Sequence, residues 1–295
     1  MLSINTNTAS MAAVNAINKS SASLSTSMER LATGNRINSS ADDAAGKQIA
    51  NRLTAQSSGM GVAQDNIQNA TAMLQTADGM FDEMTDMLGR MKDLATQASN
   101  GTYSSDDLQA MQDEYDELGQ QMSDMMQNTT YGGTNLFDAS SGGLFAASGG
   151  VTFQVGAESS DTMTVDISSQ LSQLTTDLGK VSGSFVNDQD GTGSASGTEL
   201  SSGSGNSMID TISTAMDDVS KIQSTLGASI NRLDDTAANL TSMQDNTEVA
   251  IGNIMDTDYA TEASNMTKQQ VLMQTGITML KQSNSMSSMV SSLLQ

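Results

Sequence analysis

Four amino acids are absent from this chain of 295 residues: cysteine, histidine, proline and tryptophan. Without cysteine there is no disulfide framework and no thiolate chemistry. Without histidine there is no Ser–His or Cys–His pair, no histidine metal site and no H-E-x-x-H zinc helix. Without proline nothing interrupts a long helix. We therefore expect no catalytic residues, no cofactor and no metal site, and we interpret the chain as a protein that is not an enzyme.

Aromatic residues make up only 3% of the chain, whereas methionine occurs 23 times. The methionines recur at heptad positions rather than in short clusters with other metal ligands, so we interpret them as packing between helices and not as a copper site. The net charge is −22, with 12 lysines and arginines and no basic run. Nucleic acid is therefore not an expected partner.

The chain has little that would bring it to a membrane. Residues 1–10 are polar and lack the basic start and apolar run of a secretory signal. No stretch is apolar over the roughly 18 residues needed to cross a bilayer. We expect no membrane partner, and a chain that stays in the cytoplasm or leaves the cell by a route that needs no cleaved signal.

Both ends of the chain carry weakly apolar heptad seams, which predict helices that need a helical partner. The N-terminal seam, on a helix expected from about Asn5 to Ala32, consists of Val14, Ile17, Ser21, Leu24, Met28 and Leu31. The C-terminal seam consists of Leu272, Gly276, Met279, Ser283, Met286, Val290 and Leu293. Serine and glycine in these seams make each helix marginal by itself, so we predict that the two ends pair and also pack between subunits of a self-assembling protein.

The segments between the two ends predict three further long helices. An unbroken 3-4 pattern runs from Met60 to Ala98, and a second helix, capped by Ser104, begins before Leu108. A third helix spans about 208–256, with a break near Asp256. The polar run at 34–57 predicts a loop or a short helical connection.

Alternating apolar and polar residues at 151–155 and 163–167 predict a β-hairpin. Residues 182–207 are rich in glycine, serine and aspartate, lack periodicity and predict a variable surface loop. The expected domains are paired terminal helices (1–42 and 257–295) and a helical rod (43–181 and 208–256) with a hairpin near 151–167. The fold class is mainly α: a long antiparallel rod of three long helices and a small hairpin, with paired N- and C-terminal coiled-coil helices.

Two longer motifs carry a family resemblance. The stretch from Glu29 to Gly46 resembles the N-terminal signature of bacterial flagellin, the flagellar filament subunit, and the stretch from Asp258 to Lys268 resembles its C-terminal signature. The resemblance covers roughly residues 1–180 and 207–295, with no counterpart to the large outer domains of longer flagellins. It implies a short flagellin that polymerises into a secreted, extracellular filament for motility, with paired terminal helices at the filament core.

The same resemblance implies partners. Flagellins leave the cell through the flagellar type III apparatus with an export chaperone, and a cap complex folds subunits in at the tip beyond the hook-junction proteins. Some flagellin monomers are also recognised by the vertebrate Toll-like receptor for flagellin. The residues that match the receptor-contacting pattern are Arg90, Leu94, Gln97 and Glu114. An alternative role for this face is packing against a neighbouring subunit.

Two other functions remain open at this point. A hook–filament junction protein of the same superfamily shares the terminal helices and often has this length. A different secreted coiled-coil adhesin is the second alternative, and the paired end signatures favour the filament subunit over both.

Overall fold

The computed structural model describes residues 7–138, 142–185, 198–200 and 204–293, without the side chains at 287, 288 and 290–293. Its helices and strands are, in chain order, α1 (Thr8–Thr33), α2 (Ala44–Ala98), α3 (Ser105–Asn128), β1 (Thr130–Tyr131), β2 (Thr134–Asn135), β3 (Val151–Gln154), β4 (Thr162–Val165), α4 (Ser168–Val181), α5 (Gly205–Met255) and α6 (Tyr259–Leu293). The predicted mainly α class is confirmed. No helix within the described ranges has the length and apolarity that crossing a bilayer requires.

The chain divides into two compact units, one formed by residues 1–58 and 244–295 and the other by residues 59–243. In the first unit, α1 and α6 pack along each other. In the second, α2 and α5 run antiparallel, because the amide of Gln64 donates to Thr241 Oγ1 at 3.1 Å while the amide of Gln223 donates to Asp82 Oδ1 at 2.7 Å.

The core of the unit 59–243 is built on the heptad face of α2, as the sequence predicts. Every apolar residue of the predicted Met60–Ala98 pattern is buried. Phe81 meets Phe137 edge-on with ring centroids 5.1 Å apart, and Phe137 stacks on Phe145 at 5.8 Å. The phenol of buried Tyr115 donates to the carbonyl of Val181 at 2.8 Å, which ties α3 to the end of α4.

The predicted hairpin is confirmed as β3 and β4, which pair antiparallel with Val151 opposite Val165 and Gln154 opposite Thr162. The sequence reading missed two elements, the short β1–β2 hairpin and helix α4. The expectation of a loop at 34–57 is wrong from Ala44 onward, where α2 begins. Asp43 accepts the backbone N–H of Gly46 at 2.9 Å and provides an N-terminal cap that the search for apolar periodicity ignored.

The predicted surface loop at 182–207 lies partly outside the described residues, but its described ends belong to the core. Phe185 and Leu200 are buried, and α5 already begins at Gly205. The carboxylate of Glu199 accepts the N–H of Gly183 at 2.9 Å and the amide of Gln112 at 2.7 Å. Glu199 thus joins both sides of this segment to α3, which corrects the expectation that the whole of it has no core to join.

Candidate functional site

The pair of terminal helices α1 and α6 is antiparallel and unusually close. The amide of Asn7 donates to Ser283 Oγ at 2.9 Å, and Ser10 Oγ donates to Asn284 Oδ1 at 3.2 Å. A β-carbon built on Gly276 would lie 2.8 Å from Ile17 Cγ1, inside van der Waals contact. Gly276 is therefore the position at which only a residue without a side chain permits this approach.

The face that α1 turns toward α6 differs from the predicted seam. Its less exposed positions recur with 4-3 spacing and are Ala13, Ile17, Ser20, Leu24, Ser27 and Leu31. Ile17, Leu24 and Leu31 belong to the predicted seam, whereas Val14, Ser21 and Met28 are exposed. Small side chains occupy the alternate positions because the two backbones come too close for larger ones.

The same correction applies to α6. Its less exposed positions in this region are Met273, Gly276, Leu280 and Ser283, so Gly276 and Ser283 are correct. The predicted seam residues Leu272, Met279 and Met286 are exposed. The side chains of Val290 and Leu293, also predicted in this seam, lie outside the described residues.

A buried polar cluster, which sequence reasoning missed, holds α1 to α6 near the start of α6. Buried Ser27 donates a short hydrogen bond from its hydroxyl to the carboxylate of Glu262, which is also buried. Arg30 Nη1 lies 3.8 Å from Glu262 Oε2, and Arg30 Nε is buried without a partner. A carboxylate at this depth needs such partners, so the cluster fixes the register of the pair. Glu262 in the first turn of α6 was the only signal in the sequence.

The two family-like motifs meet where α1 ends and α6 begins. Gly34 caps α1 with φ of 76°, and its carbonyl accepts the N–H of Thr257 at 2.9 Å. Arg36 donates its backbone N–H to Met255 O at 2.6 Å and its guanidinium to Ile254 O at 2.7 Å. The phenol of Tyr259 donates to Leu31 O at 3.2 Å. The motif residues thus supply the backbone hydrogen bonds that join the two connections, which is a structural role.

The start of α6 is capped by Asp258. Its carboxylate accepts the hydroxyl of Thr261 at 2.7 Å and the backbone N–H groups of Ala260 and Thr261 at 2.9 and 3.3 Å. The Thr261 hydroxyl, followed by these N–H groups, lowers the pKa of Asp258 below its ordinary value of 3.8. The cap is therefore strongest when Asp258 is ionised.

Large apolar side chains remain exposed on the paired helices. They are Met11, Val14, Met28, Tyr259, Val271, Leu272, Ile277, Met279, Met286 and Met289. An open groove of about 440 Å³ runs between the helices, lined on α1 by Ala9, Ala12, Ala13 and Ala16 and on α6 mainly by Leu272, Gly276 and Met279. We call these exposed side chains and the groove the apolar face. Apolar patches of this kind mark interaction sites in soluble proteins.

The predicted receptor-facing residues are only partly presented together. Arg90 and Glu114 are exposed and form an ion pair, with Arg90 Nη2 2.6 Å from Glu114 Oε1. Gln97 is also exposed. Leu94 is 2% exposed and belongs to the core, so the expectation that the Arg90 face presents it is wrong. The i, i+4 spacing holds, but the inward turn of α2 takes Leu94 with it.

Among the residues that the structure describes, no three His, Cys, Asp or Glu side chains lie together in a way that could hold a metal ion. The arrangement at α1 and α6 has apolar side chains outward, small residues between the helices and one buried polar cluster. Such a surface binds another protein surface.

Comparison with known proteins identifies relatives along the whole chain. One family model, described as the bacterial flagellin N-terminal helical region, matches residues 4–142, and one described as the C-terminal helical region matches residues 209–294. Flagellin A of Vibrio cholerae is 32% identical over 377 residues, covering 100% of both chains. Flagellin of Listeria monocytogenes is 32% identical over 295 residues, covering 99% of both.

A solved structure of a flagellar hook-associated protein from Vibrio parahaemolyticus superposes with a TM-score of 0.53, covering 73% of this chain and 100% of that one. The sequences of the two are 16% identical, so the likeness concerns the fold alone. The sequence matches therefore carry the assignment that follows.

Proposed function

We propose that this chain, which belongs to the bacterial flagellin family, polymerises through the apolar face of its paired terminal helices. Flagellins are structural proteins and not enzymes, and the chain is a structural subunit of the flagellar filament. It is a short member of the family, and the Listeria relative matches it over nearly its whole length.

The observation that carries the proposal is the exposure of large apolar residues on a helix pair whose own contact uses small ones. Met279 is 65% exposed and Met28 is 49% exposed, although both lie beside the α1–α6 contact. Exposed side chains of this size gain free energy when a second surface removes them from water. Val14, Met28, Leu272, Met279 and Met286 are the subunit-packing residues that we propose, together with Ile17, Leu24 and Leu31 inside each pair.

The net charge of −22 opposes association, since each subunit repels the next at low ionic strength. Sulfate both screens this repulsion and strengthens apolar burial. We infer that polymerisation of the purified chain rises steeply with sulfate concentration.

The remaining partners follow from the family. We propose that an export chaperone holds α6 before assembly, that hook-junction and cap proteins contact the ends of the polymer, and that the filament is extracellular. Exposed apolar residues on α6 support the chaperone proposal, because a chain with this surface needs cover before it meets its neighbours.

The hook–filament junction protein is the second candidate. The fold likeness to a hook-associated protein supports it, but at 16% identity this likeness concerns the backbone only. A junction protein forms a short ring between two other proteins, whereas a filament subunit polymerises with itself without limit. This difference decides the experiment.

The test is polymerisation of the purified full chain in ammonium sulfate, followed by light scattering and negative-stain microscopy. We expect long filaments of uniform width from the parent. Met279→Asp places a charge on the apolar face and is expected to abolish them, because an uncompensated charge at a desolvated contact costs several kcal/mol. Leu31→Asp, inside the helix pair, is expected to do the same.

The matched control is Gln274→Asp, which adds the same charge to an exposed polar position of the same helix. We expect this variant to polymerise. Parent protein that forms only short rings or none would favour the junction candidate. Equal loss in Gln274→Asp and Met279→Asp would show that added charge, and not the apolar face, controls assembly.

A further inference from the structure

Methionine is the main site at which mild oxidants can attack this chain. Peroxides oxidise cysteine and methionine in two-electron steps, and the chain has 23 methionines and no cysteine. The sulfoxide product converts a flexible apolar side chain into a polar one. The consequence of oxidation therefore depends on where the accessible methionines lie.

The methionines fall into two groups by burial. Those on the core faces of α2 and α3, for example Met84, Met91 and Met122, are 0% exposed. The strongly exposed ones among the described residues are Met11, Met28, Met243, Met279, Met286 and Met289. Five of these six lie on α1 and α6, and only Met243 lies elsewhere, on α5.

The exposed group coincides with the apolar face. Met279 lines the groove between α1 and α6, opposite four alanines of α1. Alanine side chains offer no hydrogen-bond donor to a sulfoxide oxygen, so a neighbour seated here would bury that oxygen without a partner. Oxidation of these methionines thus changes the surface on which assembly depends and leaves the core intact.

We propose that the methionines of the apolar face are sites of reversible oxidation by peroxide-class oxidants, and that their sulfoxides block polymerisation of the unassembled subunit. The inference rests on the proposed function, since it takes a second copy of the chain as the occupant of the face. It adds a modification site and a chemical means of controlling assembly.

The chemistry balances for one thioether and one peroxide. The sulfur lone pair attacks one oxygen of hydrogen peroxide, the O–O bond breaks and an S–O bond forms, which gives the sulfoxide and one water molecule. The sulfur loses two electrons and the peroxide gains them. A thiol-dependent methionine sulfoxide reductase reverses the step, converting two thiols to a disulfide and releasing water.

The experiment treats the unassembled full chain with hydrogen peroxide, measures oxidation at each methionine by peptide mass spectrometry and then adds sulfate. We expect Met28 and Met279 to oxidise about tenfold or more faster than Met84 and Met91, because exposure controls access. We also expect polymerisation to slow by about tenfold or more, since each buried sulfoxide lacks a partner. Treatment with methionine sulfoxide reductase should restore the original rate.

A resistant variant carries leucine at Met11, Met28, Met279, Met286 and Met289. Leucine conserves the volume and apolarity of methionine, so this variant should polymerise normally and continue to do so after peroxide. The matched control is Met243→Leu, an exposed methionine outside the terminal helices, which should remain sensitive to peroxide.

Three results would overturn the inference: unchanged polymerisation of oxidised parent, equal sensitivity of the resistant variant, or resistance conferred by Met243→Leu alone. All three leave the filament assignment intact, because the untreated chain still polymerises. Failure of the untreated parent to polymerise would instead refute the proposed function, and the inference with it.

Discussion

At the scale of single residues, small side chains decide how the terminal helices meet. Gly276 lies against Ile17, and Ala13, Ser20 and Ser27 occupy the positions at which a heptad reading expects larger residues. The bulkier neighbours Val14 and Met28 are turned outward as a result. The residues that look most like a core in the sequence are therefore available for contacts outside the subunit.

Gly276→Ala tests this close approach. The added β-carbon would lie 2.8 Å from Ile17 Cγ1, so the helices must shift. We expect the free energy of unfolding, measured by urea titration with circular dichroism, to fall by about 1–2 kcal/mol despite the better helix propensity of alanine. Ile17→Ala should make Gly276→Ala less costly, since it removes the atom that clashes.

Gly227→Ala is the control for the glycine substitution. Gly227 also lies inside a helix, but its added β-carbon would meet no atom within 4 Å. Here the propensity gain should stabilise the protein by about 1 kcal/mol. Stabilisation by Gly276→Ala as well would show that the helices are not held as closely as described.

Arg90 and Leu94 provide a second test at this scale, because they separate recognition from stability. Arg90 is exposed and paired with Glu114, whereas Leu94 is buried. We propose that Arg90→Ala reduces the signal of the monomer in a Toll-like receptor reporter assay and changes stability by less than about 1 kcal/mol. Leu94→Ala should cost about 2–5 kcal/mol of unfolding free energy through a core cavity.

The filament is the comparison sample for the reporter assay. If the Arg90 surface packs against a neighbouring subunit, the filament should give less signal than the same mass of monomer. Equal signals from monomer and filament, or an unchanged signal for Arg90→Ala, would remove Arg90 and Glu114 from the receptor proposal.

At the scale of elements, the cap of α6 makes its first turn sensitive to acid. Hydrogen bonds from Thr261 and Ala260 lower the pKa of Asp258 below 3.8 in the folded chain. A carboxylate with a lowered pKa stabilises the fold above the ordinary value, and this stabilisation is lost as the pH falls through the folded pKa. We therefore expect hydrogen exchange at Ala260 and Thr261, corrected for its intrinsic pH dependence, to accelerate below about pH 3.8.

Asp258→Asn is the matched variant, because asparagine keeps a cap acceptor but does not titrate. Its corrected exchange rates at these two amides should lack the additional rise in acid. The same additional rise in parent and variant would mean that another group controls the turn.

The elements that the sequence predicts well are those whose pattern is both long and large. The α2 face, the α3 cap at Ser104 and the β3–β4 hairpin each combine several independent signals. Helix α4 follows a hairpin directly and has no side-chain cap, so its start carries no local signal. The α1–α6 register was wrong because hydrophobic size was used where closeness of the backbones selects small residues.

At the scale of the whole molecule, the division into two units predicts what truncation does. Residues 59–243 form a compact unit with its own core, which includes Phe81, Phe137 and Tyr115. Removal of residues 257–295 deletes α6 and leaves α1 without its partner. We expect this variant to keep the thermal unfolding transition of the core and to lose polymerisation entirely.

Calorimetry and sedimentation in sulfate measure these two outcomes. A full-length variant with Met279→Asp serves as the control, since it retains α6 and loses only the proposed contact. Normal filaments from the truncated chain would contradict the proposed assembly surface, and loss of the core transition would contradict the independence of the unit 59–243.

The hydrogen bond between Asn7 and Ser283 joins residues 276 positions apart in the chain. Whenever the polypeptide is delivered from one end, as at a ribosome or through a narrow channel, the first helix to arrive waits for the last before it finds its place. Loop closure over this distance comes late, after the local contacts of the interior have formed. Completion of the subunit is thus reported by the meeting of its two ends, and a chain released early carries an unpaired α1.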